Sequence, residues 1–130
     1  MQLMKKEKFH IEYVFDKANK NILWDYFSTA AGLAEWFADE VVINGKIFTF
    51  RWKNYYNDAE VVAVVPYSYI RFRWMEEDNP STYFEFRMNR IELTGGASLE
   101  IIDFAEKNEK ESAIALWETQ IKILKRILGL

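Results

Sequence analysis

The sequence predicts an α+β fold, a curved antiparallel sheet wrapped around a long C-terminal helix, with two short helices after the first strand. Three observations lead there. Apolar and polar residues alternate in segment after segment between positions 47 and 104, the period of half-buried strands. A tryptophan-punctuated segment at 22–37 interrupts the strands early, and an amphipathic run over 109–130 closes the chain. Elements in that order bury their apolar faces together only if the sheet curls around the last helix, a grip that readily leaves a cavity.

The elements follow in turn. Over 8–15, Phe9, Ile11, Tyr13 and Phe15 fall on one side of a strand and Lys8, His10 and Glu12 on the other. Asn19 is the N-cap of a helix carrying Ile22, Leu23, Trp24, Tyr26 and Phe27, and Ser28 or Thr29 caps a second helix that ends at Phe37. Gly32 weakens that second helix, so packing of Leu33, Trp36 and Phe37 on the sheet must hold it. Asn44-Gly45, between Val41-Val42-Ile43 and Ile47-Phe48, predicts a type I′ hairpin turn, which needs positive φ at both central residues. Phe48, Phe50 and Trp52 then alternate with Thr49, Arg51 and Lys53. Tyr55-Tyr56-Asn57-Asp58 reads as the turn into an apolar strand around 61–65, ended by Pro66.

Ile70, Phe72 and Trp74 alternate with Tyr69, Arg71 and Arg73, and Asp78-Asn79-Pro80-Ser81 forms the next loop. Phe84, Phe86 and Met88 share one parity and Ile91 and Leu93 the other, which predicts a bulge or bend near Asn89-Arg90. Gly95-Gly96 turns tightly into a strand whose inward parity is Leu99, Ile101 and Asp103. In the last helix Ala113, Trp117, Ile121, Leu124 and Leu128 form a core-facing stripe, and Leu116, Ile123, Ile127 and Leu130 widen the apolar arc to roughly 200°. Either the sheet covers both flanks of this helix, or those four residues form the seam of a homodimer.

A chain of 130 residues is one ordinary domain, expected here over 1–130, and such a domain buries about two-thirds of its unfolded surface. Half the residues are hydrophobic and 17% aromatic, which excludes intrinsic disorder. The absence of cysteine excludes a disulfide framework, a thiolate nucleophile and a zinc ribbon; it fits a reducing compartment, and the cytoplasm is the expected location. The longest apolar stretch falls far short of the roughly twenty residues of a membrane span, and no secretory h-region follows Met1. A net charge of −3 argues against nucleic acid, whose binding surfaces need clustered Lys and Arg.

No catalytic signature is visible. His10 is the one histidine and sits on the polar side of its strand, so neither a Ser-His-Asp relay nor a multi-histidine metal site can be assembled. Glu76-Glu77-Asp78 and the acidic residues of 106–111 read as solvated charge. Gly45 and Gly95-Gly96 are hairpin turns, not phosphate-cradling strand-to-helix loops, and no cofactor is expected. Arg51, Arg71, Arg73 and Arg87 share the outer face with Glu85 and Glu100, where cross-strand pairs worth a few tenths of a kcal/mol account for them.

The order of elements, Ile22-Leu23-Trp24 followed by Thr29, Leu33 and Trp36-Phe37, and the C-terminal helix resemble the START-like, or SRPBCC, superfamily of helix-grip proteins. The likeness spans nearly the whole chain. Val64-Val65-Pro66 before Ile70-Arg71-Phe72-Arg73-Trp74, and Leu99-Glu100-Ile101-Ile102-Asp103, are similar to strands of the small bacterial branch related to the Hsp-ninety ATPase activator. The superfamily includes lipid carriers, hormone receptors, polyketide cyclases and co-chaperones, so the resemblance speaks for fold more than for function.

What the resemblance implies is a cavity between the curved sheet and the last helix. By parity, Phe48, Phe50, Trp52, Phe72, Trp74, Phe86 and Met88 point in from the sheet, Trp117, Ile121 and Leu124 face them from the helix, and Trp36 sits near the mouth. The same side chains could instead fill the interior as a dry core. Asp103 points inward if its strand is unbroken and into solvent if the strand ends at Ile102. Tyr13, inward on the first strand, could offer its hydroxyl to a ligand or to the backbone. The leading expectation is noncatalytic binding of a small apolar or amphipathic molecule. A homodimeric or chaperone-associated interaction module is the alternative, although the chain leaves no room for the activator's further N-terminal domain. A cyclase-like enzyme using Asp103 or Tyr13 as acid-base group is the third reading.

Overall fold

A computed structural model describes residues 5–130, so the first four residues of the expected domain, and the start read for a leader, lie outside the described residues. Among the described residues the elements are β1 (Lys6–Phe15), α1 (Lys20–Ser28), α2 (Ala30–Trp36), β2 (Glu40–Asn44), β3 (Ile47–Trp52), β4 (Tyr55–Val65), β5 (Tyr69–Trp74), β6 (Phe84–Arg90), β7 (Ala97–Glu106) and α3 (Lys110–Ile127). The seven strands make one curved antiparallel sheet in the order β1-β7-β6-β5-β4-β3-β2. From β2 to β7 it is a meander of chain neighbours. β1 then pairs along the whole of β7, from Lys6 opposite Glu106 to Phe15 opposite Ala97. The α+β helix-grip architecture is therefore present as the sequence foretells. No helix among the described residues is long and apolar enough to cross a membrane.

The short helices are held by caps and packing. The Asn19 side chain accepts from Asn21 N at 2.8 Å, and Thr29 Oγ1 accepts from Gly32 N at 3.0 Å, so each N-terminus has one of its orphan donors satisfied. Gly32 is required where it stands: a Cβ there would lie 2.0 Å from the Asp25 carbonyl oxygen, so only glycine lets α2 approach the α1 backbone this closely. At the other end of the chain Gly129 takes φ +76, with Gly129 N donating to Arg126 O at 3.1 Å and Leu130 N to Lys125 O at 2.8 Å, a Schellman close to α3.

Several local expectations change. The β2–β3 loop is Gly45-Lys46, not Asn44-Gly45, because Asn44 pairs with Ile47; with positive φ at Gly45 alone it follows the II′ pattern rather than I′. Tyr55-Tyr56-Asn57-Asp58 is already strand, and the turn before it is Lys53-Asn54, since Trp52 pairs with Tyr55. No bulge occurs at Asn89-Arg90, where β6 runs in register with β7 to Arg90 opposite Ala97; the register shift lies in β4 between Val61 and Ala63. Ile91 and Leu93 changed parity because they have left the strand, and Leu93 is 98% exposed in a six-residue loop. Ile22 lies on α1 but faces solvent, leaving Leu23, Trp24 and Phe27 as the packing face.

The sheet does not cover both flanks of α3. Trp117, Ile121 and Leu124 are buried, whereas Leu116 is 61% exposed, Ile123 38%, Ile127 41% and Leu130 41%. The outer face of the sheet also carries more than loose surface pairs. Glu85 is fully buried there, bonded by Arg71 Nε at 2.8 Å and Arg87 Nε at 3.0 Å, while the two guanidinium groups lie over Tyr83 and Tyr69 at 4.2 and 4.3 Å from the ring centroids. Two charge-assisted bonds and two stacked rings let a carboxylate stay buried on a face that reads as polar in sequence.

Candidate ligand-binding site

The middle of the concave face is filled. Phe50, Phe72 and Phe86 are completely buried, and Phe48 and Met88 nearly so. Their rings close on one another, Phe48 to Phe72 at 5.1 Å and Phe27 of α1 to Phe86 at 4.9 Å between centroids. Ile121 and Leu124 complete this packing from α3. Trp36 belongs to it as well rather than to a mouth: its Nε1 donates to Tyr26 O at 2.7 Å, and its ring meets Phe27 at 4.9 Å.

Space opens at one end, where strands terminate. Trp52 is the last residue of β3, Tyr55 the first of β4 and Trp74 the last of β5. Together with Phe37 after α2, Asp103 of β7, and Ala113, Leu116, Trp117 and Gln120 of α3, they line a cavity of about 410 Å³. A larger concavity of about 570 Å³ between α1 and α2 is a surface groove among exposed Ile22, Asp25, Ala31 and Glu35.

The cavity wall is braced by hydrogen bonds. Trp52 Nε1 and Gln120 Nε2 both donate to the Phe37 carbonyl, at 2.9 and 3.1 Å, tying β3 and α3 to the end of α2. Phe37 stacks on Trp117 with centroids 5.8 Å apart and meets Trp52 edge-on at 5.7 Å; Trp52 in turn stacks on Tyr55 at 5.7 Å. A rigid aromatic lining results, because each ring is fixed by a neighbour or by an indole N–H bond.

Asp103 is the charged group in this wall. β7 runs unbroken to Glu106, so of the two readings open in the sequence the inward one holds. Its Oδ2 accepts from Trp117 Nε1 at 2.9 Å and its Oδ1 from Phe104 N at 2.8 Å. Burial pushes its pKa up to about 6 in spite of these two donors, which favour the charged form. Behind it lies a second cavity of about 160 Å³, where Lys6 is paired with Glu77; hydrogen bonding by Lys6 holds the Glu77 carboxyl below its ordinary range.

Tyr13 is elsewhere. Its hydroxyl is buried without a partner among the described residues, and burial, then the Glu118 carboxylate, push its pKa up to about 12. Of the thirteen residues singled out in sequence for ligand contact, the structure brings together Trp52, Trp74, Asp103 and Trp117 at the cavity. Phe37, Tyr55, Ala113, Leu116 and Gln120 join them unforeseen. The helix spacing of 113, 116, 117 and 120 carried that signal for α3, whereas Tyr55 was hidden by being read as a turn.

The START-like superfamily domain matches residues 3–130, and the chain belongs to that superfamily. Among solved structures, BfR322 from Bacteroides fragilis is 44% identical over 98% of this chain and 94% of its own, with a TM-score of 0.67. The Aha1 dimer from Colwellia psychrerythraea is 16% identical, covering 92% of this chain and 93% of that one at a TM-score of 0.75. MLL2253 from Mesorhizobium loti is 16% identical over 95% and 97%, at 0.77. The last two likenesses concern the fold. No protein of curated function matches the sequence.

Proposed function

We propose that the protein binds, without transforming it, a small apolar or amphipathic molecule in the cavity between the strand ends and α3. One observation carries the reading: a space of about 410 Å³, within the size range of small-molecule sites, is walled by five aromatic side chains and interrupted by one carboxylate. The superfamily fold is compatible with ligand binding. A lone carboxyl with an elevated pKa supplies one element of acid-base chemistry, but Tyr13 does not line this space, and the Tyr55 phenol is the other titratable group of the lining. Native mass spectrometry on gently purified protein, with Nile red displacement by lipids of several classes, tests the proposal. A bound small molecule, or competition by one class, is expected; an empty protein and no displacement by any class would refute it.

A second reading is favoured by the exposure of Leu116, Ile123, Ile127 and Leu130, an apolar flank that a second copy of the chain would cover. The fold neighbour from Colwellia psychrerythraea was solved as a dimer. Sedimentation at rising concentration decides it: a dimer that Ile127→Glu dissociates is expected, and a monomer at all concentrations ends it. Association with a chaperone rests on that fold likeness alone, and a pull-down without any chaperone would retire it.

A further inference from the structure

Resting on the ligand-binding reading above, we propose that the occupant of the cavity is an organic cation, an amine or quaternary ammonium bearing a short apolar chain, with its head between the indole rings and the Asp103 carboxylate. The lining supplies the rings of Phe37, Trp52, Tyr55, Trp74 and Trp117, one carboxylate and no Lys, Arg or His. Aromatic faces are electronegative, and a cation within about 6 Å of a ring centroid is attracted to each face it meets. Trp52 and Tyr55, stacked at 5.7 Å, and Trp74, 6.5 Å from Trp52, gather three of these rings at one end of the cavity.

The carboxylate has capacity to spare. Each Asp103 oxygen accepts one hydrogen bond, from the Trp117 indole or from Phe104 N, and an ionised carboxylate has about four lone-pair sites. The nearest cation, Lys6, lies in the smaller cavity behind and is engaged by Glu77. Burial lifts the Asp103 pKa to about 6 even with the two hydrogen bonds and the Lys6 charge favouring the ionised form, and a cation bound in the cavity would favour it further. An anionic head would meet like charge with no basic residue in the lining of this cavity, and Lys6 behind the wall is engaged by Glu77, so a fatty acid fits this wall poorly. A neutral chain would gain the apolar contacts alone.

The test is an NMR titration, following the indole N–H resonances of Trp52 and Trp117, with three probes of equal chain length: hexyltrimethylammonium, 1-hexanol and hexanoate. The cation is expected to bind about tenfold more tightly than the alcohol, and hexanoate most weakly. Asp103→Asn keeps the shape and one of the two acceptor oxygens, and it should remove most of the cation's advantage while leaving 1-hexanol unchanged. Tyr55→Leu, at a residue 54% exposed whose hydroxyl accepts one bond from Asn57 Nδ2, should weaken the cation more than the alcohol; it carries the decision if Asp103→Asn does not fold. Hexanol or hexanoate binding as tightly as the cation, or both variants losing cation and alcohol equally, overturns the cation inference and leaves ligand binding standing. If none of the three probes moves either resonance, both readings fall.

Discussion

Replacing Asp103 by asparagine should make the protein more stable at alkaline pH, although it removes a charged residue held by two hydrogen bonds. The carboxyl has an ordinary value of 3.8 and is pushed up to about 6 in the fold. That gap, at 1.36 kcal/mol per unit, corresponds to about 3 kcal/mol. Its direction follows from proton linkage: the native state keeps a proton that the unfolded chain has released, so the contribution is fully present below about pH 4 and is lost as pH rises through about 6. Asparagine titrates nowhere and escapes that loss. Against this, its amide replaces one acceptor oxygen, so either Trp117 Nε1 or Phe104 N loses its partner at a cost of about 1 kcal/mol. Water reaching the cavity trims the electrostatic part further. The expected result is a variant about 1 kcal/mol more stable than the parent at pH 8 and about 1 kcal/mol less stable at pH 4. Urea unfolding followed by tryptophan fluorescence at the two pH values measures it. A difference of the same sign and size at both would show that burial does not set the ionisation of Asp103.

Three further substitutions probe the frame around the site. Gly32→Ala should cost about 2 kcal/mol, although helix propensity alone promises a gain of about 1, because its Cβ would meet Asp25 backbone atoms at 2.0 and 2.7 Å; a raised urea midpoint would mean that α1 and α2 are not in this close contact. Glu85→Ala should destabilise by about 2–3 kcal/mol, because it strands Arg71 and Arg87 against each other, whereas a loss under about 0.5 would mark an ordinary surface pair. Tyr13→Phe deletes a buried hydroxyl that has no partner and should be neutral or stabilising by up to about 1 kcal/mol in the same assay; a loss larger than that would reveal a partner for the hydroxyl.

Strand parity made most of the fold legible. Phe48, Phe50, Phe72, Phe86 and Met88 point inward because side chains alternate faces whatever else the chain does. Caps were legible for the same kind of reason, since Asn19 and Thr29 act on neighbours two and three residues away. Parity fails where a strand ends, because it says which way a side chain points and not where pairing stops. Hence Ile91 and Leu93 imitated a bulge, and Tyr55 imitated a turn. Glu85 eluded the reading for another reason: its burial depends on two arginines and two tyrosines on neighbouring stretches that only register brings together.

The same distinction explains why the cavity lies at an edge and not under the whole length of α3. A strongly bent sheet has a concave face that one helix cannot fill, and this chain meets the shortfall with phenylalanine at successive inward positions of β3 and β6 and with Ile70, Phe72 and Trp74 of β5, backed by Leu23, Phe27 and Leu33 of α1 and α2. That solution works only where strands lie side by side. Past Trp52, Tyr55 and Trp74 there is no further strand to supply an inward residue, and α3 presents Ala113 there, the smallest side chain in its stripe. The void is therefore bounded by the last rings of a close-packed aromatic core, whose positions are fixed by their neighbours. Preorganisation of that kind lowers the entropic cost of binding, so a site assembled from strand ends can hold a small molecule without the lid or mobile loop that a looser cavity would need.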